Sequence, residues 1–213
     1  MVRRANAVFG AFVRGAEGLP IVESPDGISV ADARIDAVRA GGATFEAAGA
    51  IGSDATELLA EVVGRRGVEA LDDVAGDLAF ARFDGTRLLL ARDAFAMRPL
   101  FWARRGDAIG FACEPEILLE LGLADGELDR DSVAAFLLGD DLPHWRCPFA
   151  AVWRVPGGRW VSLGPGGSGR GGRWFRPERI RPRRLDLDAA ADLTRGASWT
   201  RFGAAREAAC RSC

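Results

Sequence analysis

The stretch LAFARFDGTRLLLARDAFAMRPLFWARRGDAIGFAC, residues 78–113, decides the fold. Leu78–Phe83 and Arg87–Ala91 are apolar runs on either side of Asp84-Gly85-Thr86, a tight-turn signal, and together they predict a hairpin. Leu100–Ala103 and Ala108–Cys113 repeat the pattern around Arg104-Arg105-Gly106-Asp107, a second hairpin. Upstream, Val8–Val13, Leu19–Glu23 and Ile28–Ile35 read as strands, the last two separated by the turn Ser24-Pro25-Asp26-Gly27. Gly41-Gly42 then breaks the chain. Asp54–Gly64 is the clearest helix: Ala55, Leu58, Leu59, Val62 and Val63 share one face at the 3.6-residue period. Asp54 with Glu57 three residues on suits a capping box, and Gly64 and Gly67 suit the helix end.

Downstream, Pro115–Leu121 predicts a short helix closed by Gly122, and Ser132–Leu138 another, capped by Asp131 and ended by Gly139. Val152–Val155 and Arg159–Leu163 predict a last hairpin around Pro156-Gly157-Gly158. Gly164–Gly172 (G-P-G-G-S-G-R-G-G) has the composition of a flexible linker. It lacks the Lys-Ser/Thr that ends a phosphate loop. Arg179–Arg184 is a basic patch expected to be solvated, and beyond Leu193 no periodicity survives. Paired hairpins with flanking helices imply an α+β sandwich. We divide the chain into residues 1–163, a folded domain with its exit segment, and residues 164–213, a Gly/Arg-rich linker with a poorly ordered tail.

Bulk properties narrow the function classes. The 213 residues are 48% hydrophobic, enough to bury a real core. With 28 basic and 30 acidic residues the net charge is −2, so no global field draws the protein to nucleic acid. All the basic residues are arginine and tyrosine is absent, which fits a GC-rich coding bias. No run approaches the roughly 18 apolar residues of a membrane span, and Arg14 interrupts the apolar start too early for a signal peptide. A cytoplasmic location is expected. The cysteines are Cys113, Cys147, Cys210 and Cys213, and the one histidine is His144. Neither a zinc site nor a redox dithiol has the spacing or context it needs.

An ordered set of motifs carries a family resemblance. Gly52-Ser53-Asp54 opens a helix as the G-S-D of asparagine synthetase glutaminase domains does. Leu71-Asp72-Asp73-Val74-Ala75-Gly76-Asp77-Leu78-Ala79-Phe80-Ala81 resembles their L-x-G-x-F-A-F strand entry. Ala91–Phe101 is similar to A-R-D-x-x-G-x-x-P-L-Y/F, with Ala96 at the glycine position. Gly110–Leu118 resembles F-A-S-E-x-K-A-L. Leu128–Leu137 and Val152–Gly158 further resemble L-D-x-x-A-L-A-E-Y-L and I-x-R-L-P-P-G-H. The chain thus resembles the amino-terminal, type-2 glutamine amidotransferase domain of class II, glutamine-hydrolysing asparagine synthetases, enzymes of asparagine biosynthesis. The resemblance implies the four-layer αββα sandwich of amino-terminal-nucleophile hydrolases. It also implies a chemistry in which a cysteine at the chain start attacks the glutamine amide, its α-amino group acts as base, and preorganised donors hold the oxyanion. Ammonia then passes to an ATP-dependent domain that adenylates an aspartate carboxylate.

The departures are as informative. Aligning Val8-Phe9-Gly10-Ala11-Phe12 with the family's I-F-G-V-F puts Asn6 at the nucleophile position, and an asparagine amide is no nucleophile. Residue 2 is Val, so removal of Met1 would expose no thiol. The R-H-R-G-P clamp for the glutamine carboxylate has no counterpart. The oxyanion segment N-G-E-I-Y-N appears as Asp32-Ala33-Arg34-Ile35-Asp36-Ala37, with a carboxylate in place of a donor. Asp54 stands where the family binds the substrate amino group, a vestigial glutamine site, although a helix N-cap is its plainer role. Arg92 and Asp93 are expected to stabilise their loop, and Glu114 and Glu116 to offset a helix dipole.

The synthetase loop S-G-G-x-D-S/T does not occur, so we expect the adenylating domain to be absent or separate, and Arg195–Cys213 to be out-of-frame translation. On this reading no catalytic residue, metal or cofactor belongs to the chain itself; ATP and Mg belong to the adenylating part, which is the expected partner. The cysteine-less pattern resembles lasso-peptide cyclases and β-lactam synthetases, and makes the domain a non-hydrolysing scaffold. Alternatives are an amino-terminal fragment of a glutamine-hydrolysing asparagine synthase, an orphan interaction module, or a glutaminase using Cys147 paired with His144.

Overall fold

The computed structural model describes residues 2–4, 7–9, 20–40, 43–140, 143–180, 182 and 184–196. Asn6, most of Val8–Val13, Cys210 and Cys213 lie outside the described residues. Strands β1 (Val2–Arg4) and β2 (Ala7–Phe9) form an antiparallel pair. β3 (Ile21–Ser24) turns into β4 (Gly27–Ala40), and β5 (Ala43–Ile51) follows. Helix α1 (Gly52–Arg66) leads through a 3-10 turn at Val68–Asp73 into β6 (Val74–Phe83), and β7 (Leu88–Arg92) completes the first expected hairpin. The second is β8 (Phe101–Arg105) with β9 (Ala108–Ala112). Then come α2 (Pro115–Glu120), α3 (Arg130–Leu138), β10 (Val152–Arg154), β11 (Arg159–Leu163) and β12 (Gly169–Arg173).

The protein is a mixture of helices and antiparallel sheets. A seven-stranded sheet runs in the order β12-β11-β7-β6-β4-β3, with β5 also on β4; a three-stranded sheet runs β10-β8-β9. β4 outruns the expected Ile28–Ile35 because β6 pairs with it from Ile28↔Phe83 to Val38↔Val74. Strand alternation sorts its side chains. Ala31, Ala33 and Ile35 pack with Leu59, Val62 and Val63 of α1. Ile28 and Val30 face the other way, into a layer with Leu90, Leu100 and Val155 against which Trp102, Ile109 and Phe111 of the small sheet pack. A third layer joins Phe101, Ala103 and Val152 of the small sheet to Leu118 of α2.

Several expectations are corrected. Val152–Val155 and Arg159–Leu163 do not form a hairpin: β10 pairs with β8 in the small sheet, and β11 with β7 in the large one. Pro156-Gly157-Gly158 is therefore a crossing between sheets. The crossing is close, since a Cβ on Gly157 would lie 2.9 Å from the Ala94 carbonyl oxygen. The glycine-rich segment is not a free linker throughout, because Gly169–Arg173 pairs with Arg159–Leu163 as the outermost strand β12. Trp174, just beyond it, is buried in the α1 core and donates its indole N–H to the Arg92 carbonyl at 3.1 Å. The cap of α3 is Asp129 rather than Asp131: its carboxylate accepts from Ser132 N at 2.9 Å and pairs with Arg146. Gly139 ends this helix in the left-handed region, as expected. Residues 187–196 form a largely exposed helix, which runs past Leu193, where no periodicity was expected.

Candidate functional site

Three segments of the family pattern meet around the middle of β4. By alternation, Asp32 and Arg34 fall on the face shared with Ile28 and Val30, turned towards the small sheet, and Asp36 lies at the register shift between Ile35 and Ala37. The register Arg34↔Ile51 sets the start of α1 beside them. The loop after β7 closes from the far side, and its Arg98 guanidinium approaches Asp32 to 3.2 Å. Asp32 is thus engaged in an ion pair, and Arg34 pairs with Asp36 at 3.1 Å.

The loop that presents Arg98 is built by its first two residues. Asp93 is 1% exposed. Its Oδ1 accepts from the backbone N–H of Phe95 (3.0 Å) and Met97 (2.9 Å), and its Oδ2 from that of Arg98 (3.0 Å). Arg92, also buried, donates to the carbonyls of Arg98, Val155 (3.1 Å) and Ala96 (2.7 Å). Burial pushes its guanidinium down from its ordinary value, opposed by the Asp93 charge. A carboxylate collecting three donors and a guanidinium collecting three acceptors hold a short irregular segment in one shape. The expected loop-stabilising role of Arg92 and Asp93 is what the geometry shows.

Ala96 carries a strain the family pattern avoids. Its φ is 57°, and among the described residues it is the one non-glycine in the left-handed region. A left-handed alanine costs about 1–2 kcal/mol, partly offset by the lower unfolded-chain entropy relative to glycine. Ala96→Gly is expected to stabilise the protein by about 0.5–1 kcal/mol, read as a higher urea midpoint at unchanged slope.

Cys113, at the end of β9, completes the cluster. Burial raises its thiol above the ordinary value, the Asp32 charge adds to the effect, and Arg98 opposes it. A thiol held protonated is a poor nucleophile. Cys147 is 2% exposed among Phe101, Leu118 and Val152, and burial raises its thiol as well. His144 is exposed. Burial and a raised thiol therefore count against the conceived Cys147–His144 dyad.

Asp54 is exposed in the first turn of α1, where the helix dipole favours a carboxylate. Its expected N-cap role is corrected: α1 begins two residues earlier, Ile51 holds the cap position, and no side chain caps the end. The Ser53 hydroxyl donates to Asp54 Oδ1 at 3.5 Å. Asn6 lies outside the described residues. Among the described residues, no three of His, Cys, Asp and Glu gather to hold a metal ion, and no helix is long and apolar enough to cross a membrane. The Asp32–Arg98 pair was not foreseen; its partners are 66 residues apart and no local pattern links them.

Chemically, Asp32 presents a carboxylate tied to the Arg98 guanidinium. Developing negative charge needs donors aimed at it, and an anion there would repel it.

Among solved structures, the chain is similar to a glutamine phosphoribosylpyrophosphate (PRPP) amidotransferase from B. subtilis, complexed with ADP and GMP, at 20% identity and a TM-score of 0.41. That match covers 72% of this chain and 30% of the other. It is also similar to a structure described as the allosteric regulatory enzyme of purine biosynthesis, at 19% identity and a TM-score of 0.41, over 73% of this chain and 30% of that one. The chain thus matches under a third of the length of either relative. No curated protein matches it in sequence. A family profile described as glutamine amidotransferase domain matches residues 38–171, well over half of the chain. The protein belongs to the glutamine amidotransferase domain family.

Proposed function

We propose that this is a glutamine amidotransferase-like domain that does not hydrolyse glutamine and serves as a scaffold in an asparagine-synthetase-type, ATP-dependent amide-forming enzyme. The observation that carries the first half is the Asp32–Arg98 ion pair, 3.2 Å apart, at the position aligned with the oxyanion donor. Asn6 at the nucleophile position and the raised thiols of Cys113 and Cys147 point the same way. The stack of α1, large sheet, small sheet and α2, with an apolar layer between each pair, supports a four-layer αββα sandwich of the amino-terminal-nucleophile type. The motifs of Leu128–Leu137 and Val152–Gly158 favour the asparagine-synthetase branch, and Asn6 in place of the nucleophilic cysteine favours its lasso-cyclase and β-lactam-synthetase relatives. In this reading residues 1–163 carry the amidotransferase-like part, the location is cytoplasmic, and ATP and Mg bind to an adenylating domain or subunit.

The test is ammonia release from glutamine by the purified protein. The expected result is a rate equal to that of the buffer. Release above that background, abolished in Cys147→Ala or Cys113→Ala, would sink the proposal. For the second half, affinity capture is expected to recover a protein that catalyses ATP–pyrophosphate exchange; recovery of unrelated proteins alone would favour an orphan interaction module.

A further inference from the structure

A cavity of about 490 Å³ opens beside α1, on the face of the large sheet opposite the Asp32 site. α1 packs over β4, and the sheet continues past it through β7, β11 and β12. The floor is a row in direct register across four strands, Arg82↔Leu89↔Ser162↔Arg170. Gly64 of α1 makes room above, where a Cβ would lie 3.4 Å from the Arg82 guanidinium.

The guanidinium groups here have neutral partners. Arg82 is 8% exposed, and its donors reach only neutral oxygens: Asp26 O at 3.2 Å, and Ala60 O and Ser29 Oγ at 3.4 Å. Arg87 donates to Ser162 Oγ (2.9 Å) and O (2.8 Å), and to Ser168 Oγ (3.4 Å). Arg170 lies over the Trp160 ring, 5.9 Å from its centroid. Arg82, Arg87 and Arg170 form no ion pair among the described residues. Asp26, Asp84 and Glu69 line the same cavity. Asp84 is committed to the turn, its Oδ1 accepting from Thr86 and Arg87 N–H at 2.8 Å. A buried guanidinium without an ion-pair partner is costly, and one that lines an open cavity is accessible to an anion from outside. Forked guanidinium donors fit phosphate oxygens best.

We propose that this cavity binds a small phosphate-bearing anion, with Arg82 at its base, Arg87 on its wall and Arg170 at its mouth. The site lies apart from the glutamine-type centre and does not depend on whether that centre hydrolyses anything. Titration calorimetry with pyrophosphate, at ionic strength held constant with chloride, tests it. Saturable binding is expected, weakened at least about tenfold in Arg170→Glu and unchanged in Arg65→Glu, a charge reversal on the exposed face of α1. Arg170 is exposed, so its replacement leaves the core intact. A parallel titration with ADP separates the sources: tighter binding than pyrophosphate assigns a nucleotide whose base stacks on Trp160, and equal binding assigns the phosphate alone. No saturable pyrophosphate binding, or binding that Arg170→Glu leaves intact, would overturn the proposal.

Discussion

Replacing Gly76 with alanine is expected to cost at least about 3 kcal/mol and to disturb the register of the central strands. Gly76 sits opposite Ile35 with φ at 153°, a conformation an L side chain rarely adopts. A Cβ there would lie 2.2 Å from the Arg34 carbonyl oxygen and 2.9 Å from the Ile35 Cα. Both obstacles are backbone, so no side chain can swing aside. The only relief is to push β6 away from β4 where β4 already shifts register, between Ile35 and Ala37. That displacement would reach Arg34 and Asp36, so the damage is local to the site as well as global. Gly85→Ala is the matched control. Gly85 also has positive φ, 96°, but nothing stands within 4 Å of its would-be Cβ. Its cost is expected near 1 kcal/mol, the conformational part alone. Urea denaturation of both variants checks the pair, and equal losses would show that the close approach at Gly76 carries no weight.

Asp93→Ala is expected to lose about 4 kcal/mol in the same measurement. The carboxylate satisfies the N–H groups of Phe95, Met97 and Arg98. Its removal orphans all of them and leaves the buried Arg92 guanidinium without its neighbouring negative charge. Phe95 and Met97 are exposed, so water reaches part of the opened loop and keeps the loss below the full sum of three buried donors. Asp93→Asn retains one acceptor oxygen but turns an amide N–H towards a backbone donor, and about half the loss is expected. Because Arg98 is presented by this loop, either variant also loosens the Asp32–Arg98 pair. A loss below 1 kcal/mol for Asp93→Ala would mean that the loop holds its shape without this anchor.

What the sequence revealed, and what it hid, follows from the range of the interactions. Ala55, Leu59, Val62 and Val63 repeat on one helical face, and Asp84-Gly85 sits between apolar runs; both signals are local, and α1 and the β6–β7 hairpin follow from them. Val152–Val155 and Arg159–Leu163 looked like another hairpin because they too flank a turn sequence. Their separate destinations depend on Phe101 and Leu88, at distant points of the chain, which no local pattern encodes. Gly169–Arg173 has almost no strand propensity and is a strand because β11 offers an unpaired edge, a tertiary override of composition. In the site, Asp93 and its loop were legible from the A-R-D motif. The Arg98 partner of Asp32 was not, since a salt bridge between separate strands and loops leaves no trace in spacing.

The glycine-and-arginine strand at the rim has one more consequence, for colloidal behaviour. An outermost strand offers unsatisfied backbone groups to any passing sheet, and natural proteins blunt that hazard with charge and poor strand formers. β12 supplies both, with Arg170 and Arg173 exposed and glycine at its other positions. Two copies meeting rim to rim would bring like charges together and find few side chains to interleave. The segment whose composition most suggested a tether is thus well suited to keep the widest sheet from growing into a neighbour.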